Sequence, residues 1–319
     1  VGWLSSFARA PANAQISNWT LVMLRVVSLF LPRWPTDRLR RAMGERAPPP
    51  DAPLILAGRE GRRRVVLARD DAAARLGLAP GLPVSKAQAM VKGLIEIEGD
   101  PAADAQALDR LAIWAQRRYA PLVAPDPPDG LMIEVAGSAH LFGGEEALMC
   151  DLAERLAAAG FAARIAIAPS YGAAHALARF GPPPAVAIGP KGLAPALSPL
   201  PVASLRLPVD MVAALSRLGF DTVGELAAAP RGSLAHRFGD LVLPRLDQAF
   251  ARVAERFEPV EAPERLAVRR NFAEPIGAPE TLARYTGKLV EALCAELDAR
   301  SLGARRLDLF FHRVDSRIE

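Results

Sequence analysis

The sequence predicts an α+β fold divided into more than one domain, and three observations carry that prediction. Through the first 180 residues, short apolar runs of strand length alternate with longer stretches of helical periodicity. After the proline-rich "GPPPAVAIGPKG" the pattern turns helical. At 319 residues and 51% hydrophobic, the chain is long and apolar enough to bury several cores.

The elements follow in order. Residues 1–23 show no clear periodicity and read as an N-terminal extension, with Met23 a sensible native start. Leu21–Leu31 is apolar, but Arg25 interrupts it, no small-residue cleavage site follows, and it is too short to span a bilayer. It reads as leading into a buried strand at Val26–Leu31 rather than as a signal core. Thr36 or Asp37 can cap a short helix at Arg38–Met43. "ERAPPPDAP" is a linker. Leu54–Ala57 and Val65–Ala68 are short strands around the turn "GREGRRR". Asp70 or Asp71 opens a helix that Gly77 closes, and "SKAQAM" is a further helix.

Asp104–Tyr119 is amphipathic, with Leu108, Leu111, Ala112, Ala115 and Tyr119 on one face. Prolines 121, 125, 127 and 128 then break the chain. Leu131–Val135 alternates as a strand and "HLFGG" turns. Leu148, Leu152 and Leu156 mark a helix, Ile165 and Ile167 a strand, and Ser170–Phe180 another helix. Further on, Met211, Ala214, Leu215 and Leu218 form a stripe ended by Gly219, and "TVGE" offers a capping box from Thr222 to Glu225. "RFEPVEAPER" is a second linker. A strand at Leu266–Phe272, a helix at Pro279–Arg300 and a strand at Arg306–His312 follow it. Cys150 and Cys294 sit in apolar helical patterns and read as buried, reduced thiols.

Several chemistries are disfavoured. His140, His175, His236 and His312 are scattered, with no HxxxH or CxxC spacing for zinc. Phosphate-loop and dinucleotide glycine patterns are absent, as is a GxSxG elbow. The formal charge is +4 with a pI near 9.4, so a nucleic-acid footprint must come from local clusters.

The segment "PLILAGREGRRRVVLARDDAAARLGLAPGLPVSKAQAM" resembles the fingers of Y-family (translesion) DNA polymerases. "RRYAPLVAPDPPDGLMIEVAG" is similar to their palm segment, and "ARIAIAPSYGAAHALARFG" to the next palm strand and helix. "LSRLGFDTVGELAAAP" resembles the thumb, and "EALCAELDARSLGARRLDLFF" the start of the little finger. The resemblance implies a palm at 24–35 and 96–180, fingers at 36–95, a thumb at 185–258 and a partial little finger at 262–319. Family little fingers carry further strands, so it also implies that Glu319 is not the natural end.

Carried over position by position, the resemblance finds the chemistry gone. The Asp-x-Asp that ends the first strand of an active member falls on Pro32 and Trp34. The second motif's Asp falls on Asp129, a remnant, and its metal-binding Glu falls on Gly130. The Tyr and Arg that hold the triphosphate fall on Asp71 and Ala74, and the palm lysine falls on Ala176. Two-metal phosphoryl transfer needs hard oxygen ligands. Asp37 reads as a cap or surface residue, and Glu134 lies two strand steps from Gly130. Neither is placed to substitute. Trp34 fits core packing, or a plug in the emptied pocket.

"LPRWPTDRLRR" and "HLFGGEEAL" sharpen the resemblance to non-catalytic Y-family-like proteins of bacterial damage-response mutasomes. That implies a cytoplasmic, nucleoid-associated adaptor without cofactor or metal. Its implied partners are DNA, the sliding clamp, a RecA-like accessory protein and an error-prone replicative-type polymerase. No clamp-binding peptide occurs before Glu319. Candidates for weak, sequence-indifferent DNA contact are Arg62, Arg63, Arg64 and Lys86 in the fingers. Arg269, Arg270, Arg305 and Arg306 are the candidates in the little finger. The thumb's usual glycine hairpin reads "SLRLPVD" here, which weakens its expected grip on phosphate. An active low-fidelity polymerase with relocated ligands and a plain DNA-binding protein are the rival readings.

Overall fold

In the computed structural model the described residues are 24–182, 186–255, 258–261, 266–304 and 307–311. They fall into two units, one through Glu261 and one from Ala262 onward. The expected N-terminal extension, Arg305, Arg306 and His312 lie outside the described residues.

The first unit is built on a four-stranded sheet ordered β5-β6-β1-β7, from β1 (Val26–Phe30), β5 (Val123–Asp126), β6 (Gly130–Glu134) and β7 (Arg164–Ala168). Every neighbouring pair is antiparallel. Successive residues of β1 point to opposite faces, and both faces are covered, which is why the strand reads as a continuous apolar run. Val27, Leu29 and Leu31 pack with α4 (Pro101–Arg118) and α5 (Glu145–Ala158). Val26 and Phe30 pack with α6 (Tyr171–Phe180), whose residues 171–178 are all buried. The outer side of α6 meets the helices α7 (Leu193–Leu197), α8 (Val209–Ser216), α9 (Val223–Ala228), α10 (Arg231–Phe238) and α11 (Val242–Ala249) in one continuous core.

A second, three-stranded sheet, β3-β2-β4, joins β2 (Leu54–Glu60), β3 (Arg63–Arg69) and β4 (Ile95–Glu98). It packs on α2 (Asp71–Arg75) and α3 (Val84–Met90) through Ile55, Val66, Ala73, Leu78, Ala87 and Val91. The predicted hairpin turn is there, with Gly61 at φ +61°. β4 was not predicted from the sequence: its four residues pair parallel to β2, a partner some 40 positions upstream.

Other expectations need correction. The first helix, α1 (Trp34–Met43), begins two residues before Thr36, so neither Thr36 nor Asp37 caps it. Both are buried, and Asp37 instead accepts the Ala162 N–H at 3.0 Å. Asp104 does not open α4. Asp100 caps that helix, and Asp104 is buried against Arg38. Cys150 and Cys294 are exposed, because the buried stripe of α5 runs through Leu148, Met149, Leu152 and Leu156, and α12 buries no residue. The boundary stretch is partly zipped to the sheet: Ile167 and Val186–Ile188 exchange two backbone bonds, 3.1 and 2.8 Å.

The predicted capping box is intact, with Thr222 Oγ1 accepting the Glu225 N–H and Glu225 accepting that of Thr222. In the second unit, α12 (Pro279–Ala299) forms as predicted. Residues 266–272 and 307–311 are irregular rather than stranded. A strand needs a partner ladder, and none forms among the described residues there. No described helix is long and apolar enough to cross a membrane.

Candidate functional site

The end of β1 is where the resemblance expects metal ligands. The register pairs Phe30 with Gly130 across β1 and β6, and Leu31 N–H donates to the Asp129 carbonyl at 2.8 Å. Pro32 lies just past the strand. Trp34 opens α1 and is 2% exposed, its indole N–H donating to the Asp104 carbonyl at 3.1 Å and its ring 5.2 Å from Phe161. It is core packing, and of the two readings the plug is set aside.

The group that reaches the strand end is Arg179, one turn after His175 on α6. Its guanidinium lies 4.7 Å over the Phe30 ring, 2.8 Å from Asp129 and 3.1 Å from Asp126. His175 Nδ1 meets Asp126 at 2.8 Å. Space at Gly130 is closed: an added Cβ would come within 2.8 Å of both Arg179 Nη2 and the Leu29 carbonyl oxygen.

The charges respond to this packing. Burial pushes Asp126 up, but the His175 hydrogen bond and the Arg179 and Arg206 charges prevail and hold it below the usual carboxylate range. Burial wins at Asp129, which stands above that range despite Arg179. Burial also holds His175 below its ordinary value, against the opposing pull of its Asp126 hydrogen bond. Behind α6, Arg206 and Arg245 both pair with the carboxylate of Glu255, at 2.6 and 3.0 Å. Arg206 itself stands at φ +55°, in the hairpin where glycines were expected. Burial and the charge of Glu134 raise the Tyr171 phenol, which also bonds that carboxylate.

A pair of divalent ions needs several free oxygen ligands. Here both strand-end carboxylates are engaged by an internal cation, and among the described residues no group of three or more His, Cys, Asp or Glu converges on a metal position. The residues present do not fit such ions.

The residues at which the resemblance expects triphosphate contacts have other surroundings. Asp71 pairs with Arg33, which also reaches Asp37 at 3.7 Å. Ala74 is half-buried on α2, and Ala176 is fully buried inside α6. Arg40 binds Asp70 at 2.6 Å, Arg38 binds Asp104, and Arg41 donates to the Ala159 carbonyl at 2.7 Å. The cations of "PRWPTDRLRR" are thus spent inside the first unit.

Among the DNA candidates, Arg62, Arg63 and Lys86 are exposed. Arg64 is not free: Glu96 and Glu98 hold it at 2.7 and 2.6 Å. In the second unit Arg269 is exposed and bonded to Asn271, and Arg270 lies 5.3 Å over the Tyr285 ring. Phe30, Asp126, His175 and Arg179 were missed from sequence. The i, i+4 spacing of His175 and Arg179 on a predicted helix was the available signal.

A family model described as "impB/mucB/samB family" matches residues 45–179. The chain is 46% identical over 247 residues to "Protein ImuB" of Caulobacter vibrioides, covering 76% of this chain and 52% of that one. It is 30% identical to "DNA polymerase IV" of Dehalococcoides mccartyi, covering 67% and 54%. The chain therefore spans about half the length of the curated relatives it matches. In structure it is similar to DinB from Sulfolobus solfataricus, with a TM-score of 0.59, 16% identity and coverage of 74% and 69%. It is also similar to the insertion ternary complex of Dbh DNA polymerase, with a TM-score of 0.59, 15% identity and coverage of 92% and 86%. Domain match and fold agree: residues 45–179 match the impB/mucB/samB family model, and the chain has the fold of a Y-family DNA polymerase.

Proposed function

We propose that the chain works without nucleotidyl transfer, as an adaptor or scaffold in error-prone translesion DNA synthesis and damage-induced mutagenesis. One observation carries this reading: Arg179 pairs with Asp126 and Asp129 where catalysis would need metal ions. A guanidinium cannot lower the pKa of an attacking hydroxyl or bridge phosphate oxygens as Mg²⁺ does. Similarity to Protein ImuB supports the same reading. The proposed organisation is a palm at 24–35 and 96–180, fingers at 36–95, a thumb at 185–258 and a partial little finger from 262. The proposed vacated positions are Pro32, Trp34 and Gly130; Phe30 is the register partner of Gly130.

The proposed partners are DNA, bound weakly and without sequence preference, a sliding clamp, a RecA-like accessory protein and an error-prone replicative-type polymerase at the nucleoid. The similarity to DNA polymerase IV favours a second reading, an active low-fidelity polymerase. Primer extension with Mg²⁺ or Mn²⁺, run beside a clamp pull-down on the full-length protein, separates the two. No incorporation with clamp capture is expected. Template-directed incorporation abolished by Asp129→Ala would overturn the proposal.

A further inference from the structure

The outer edge of β5 is covered in an unusual way. β5 borders the larger sheet, and with Leu122 O accepting from Glu134 N–H, it is Val123 and Pro125 whose backbone groups face outward. Pro125 has no N–H to offer. The Val123 carbonyl accepts the Val260 N–H at 2.8 Å, so the segment 258–261, "EPVE", lies along the edge by a single backbone bond. Gln116, near the end of α4, fastens it: Nε2 donates to the Val260 carbonyl at 2.9 Å and to the Pro121 carbonyl at 3.0 Å. The Val260 side chain is half-buried against the core beneath. The residues on either side give nothing to the contact: Glu258, Pro259 and Glu261 are exposed.

We propose that residues 258–261 are a releasable strap, with Gln116 as its clasp, that covers the edge of the larger sheet. Bare edges recruit other strands, so a short cover is a recognised form of protection. The hold is slight: one backbone bond, one side-chain bond and one half-buried valine. The clasp is also incompletely satisfied, because Gln116 Oε1 is buried without a hydrogen-bond partner. A segment held this way opens locally, far more often than the sheet unfolds. When open, it exposes the Val123 N–H and carbonyl to an added strand.

The test uses the full chain. Cleavage after Glu261 by a protease specific for glutamate reads the strap directly, since Pro259 protects the bond after Glu258, and amide exchange of peptides containing Val260 reads the backbone bond. Gln116→Glu, which sets a carboxylate against two carbonyl oxygens, is expected to speed cleavage at least fivefold. Val260→Pro, which removes the donor, should do the same. Exchange in α6 and β1 should stay unchanged in both variants, which separates strap opening from loss of fold. Gln116→Asn, which keeps an amide on a shorter arm, should fall between the native chain and Gln116→Glu. Cleavage equal to native in both Gln116→Glu and Val260→Pro, with Val260 exchange equal to native in Gln116→Glu, would overturn the strap, as would acceleration accompanied by loss of protection throughout β1.

Discussion

Gly130 and Arg179 meet at the end of β1, and each makes a prediction. A Cβ at residue 130 meets a backbone carbonyl that cannot swing away, so Gly130→Ala should cost about 1–3 kcal/mol by overpacking. Gly130→Glu should cost more and still give no primer extension. Arg179 is the counter-charge for two half-buried carboxylates, so Arg179→Met should destabilise by about 1–3 kcal/mol, measured by urea unfolding. His175 adds a pH dependence. Its folded pKa lies below the ordinary 6.5, so the unfolded chain binds the proton more readily. This contribution to stability is full above about pH 6.5 and is lost as pH falls through the folded pKa. His175→Gln should flatten that part of the stability profile, read from unfolding curves between pH 7.5 and 5.

At the scale of elements, α1 binds the smaller sheet to the larger through side chains that look, in sequence, like a solvated basic face. Trp34 anchors it in the core, and Trp34→Ala should cost about 3–5 kcal/mol. Asp70 serves three partners: it accepts the Ala73 N–H at 2.8 Å as the cap of α2, the Leu54 N–H at 3.2 Å, and Arg40. Asp70→Ala should therefore raise amide exchange in α2 and the start of β2 while leaving β1 and β6 protected. Equal loss of protection in both sheets would show that the two do not open separately.

At the scale of the whole molecule, the local clusters rather than the charge of +4 decide where polyanions can bind. Arg62 and Arg63 are exposed at the β2–β3 turn, whereas Arg64 is already neutralised by two glutamates. Replacing Arg62 and Arg63 together with alanine should weaken single-stranded DNA binding and lower the slope of log K against log salt by roughly 1–2. Arg64→Ala should leave that slope unchanged. Fluorescence anisotropy titrations at several salt concentrations distinguish the two, and an equal effect of both variants would place Arg64 on the DNA after all.

Much of this architecture was legible in the chain, because local rules wrote it. The caps at Asp70, Ser170 and Thr222, the stripes of α4 and α5, and the apolar run of β1 each depend on residues within a turn or two of one another. β4 escaped because four alternating residues are too few to signal a strand without their partner β2. The proposed loss of oxygen ligands rests on positions read along the chain, Pro32, Trp34 and Gly130. The Arg179 cluster could not be read there. Asp126 and Asp129 lie some 50 positions from His175 and Arg179, and only the pairing of β5, β6 and β1 against α6 brings the four together. The pairing of Arg33 with Asp71 and of Val260 with Val123 has the same origin. Sequence determined most of the helices and most strands of the larger sheet, since propensity and periodicity act over a few residues, but not β4 or the fate of the two strands expected after residue 262. Tertiary structure alone decided which charges neutralise one another, since an ion pair depends on distance in space and on burial.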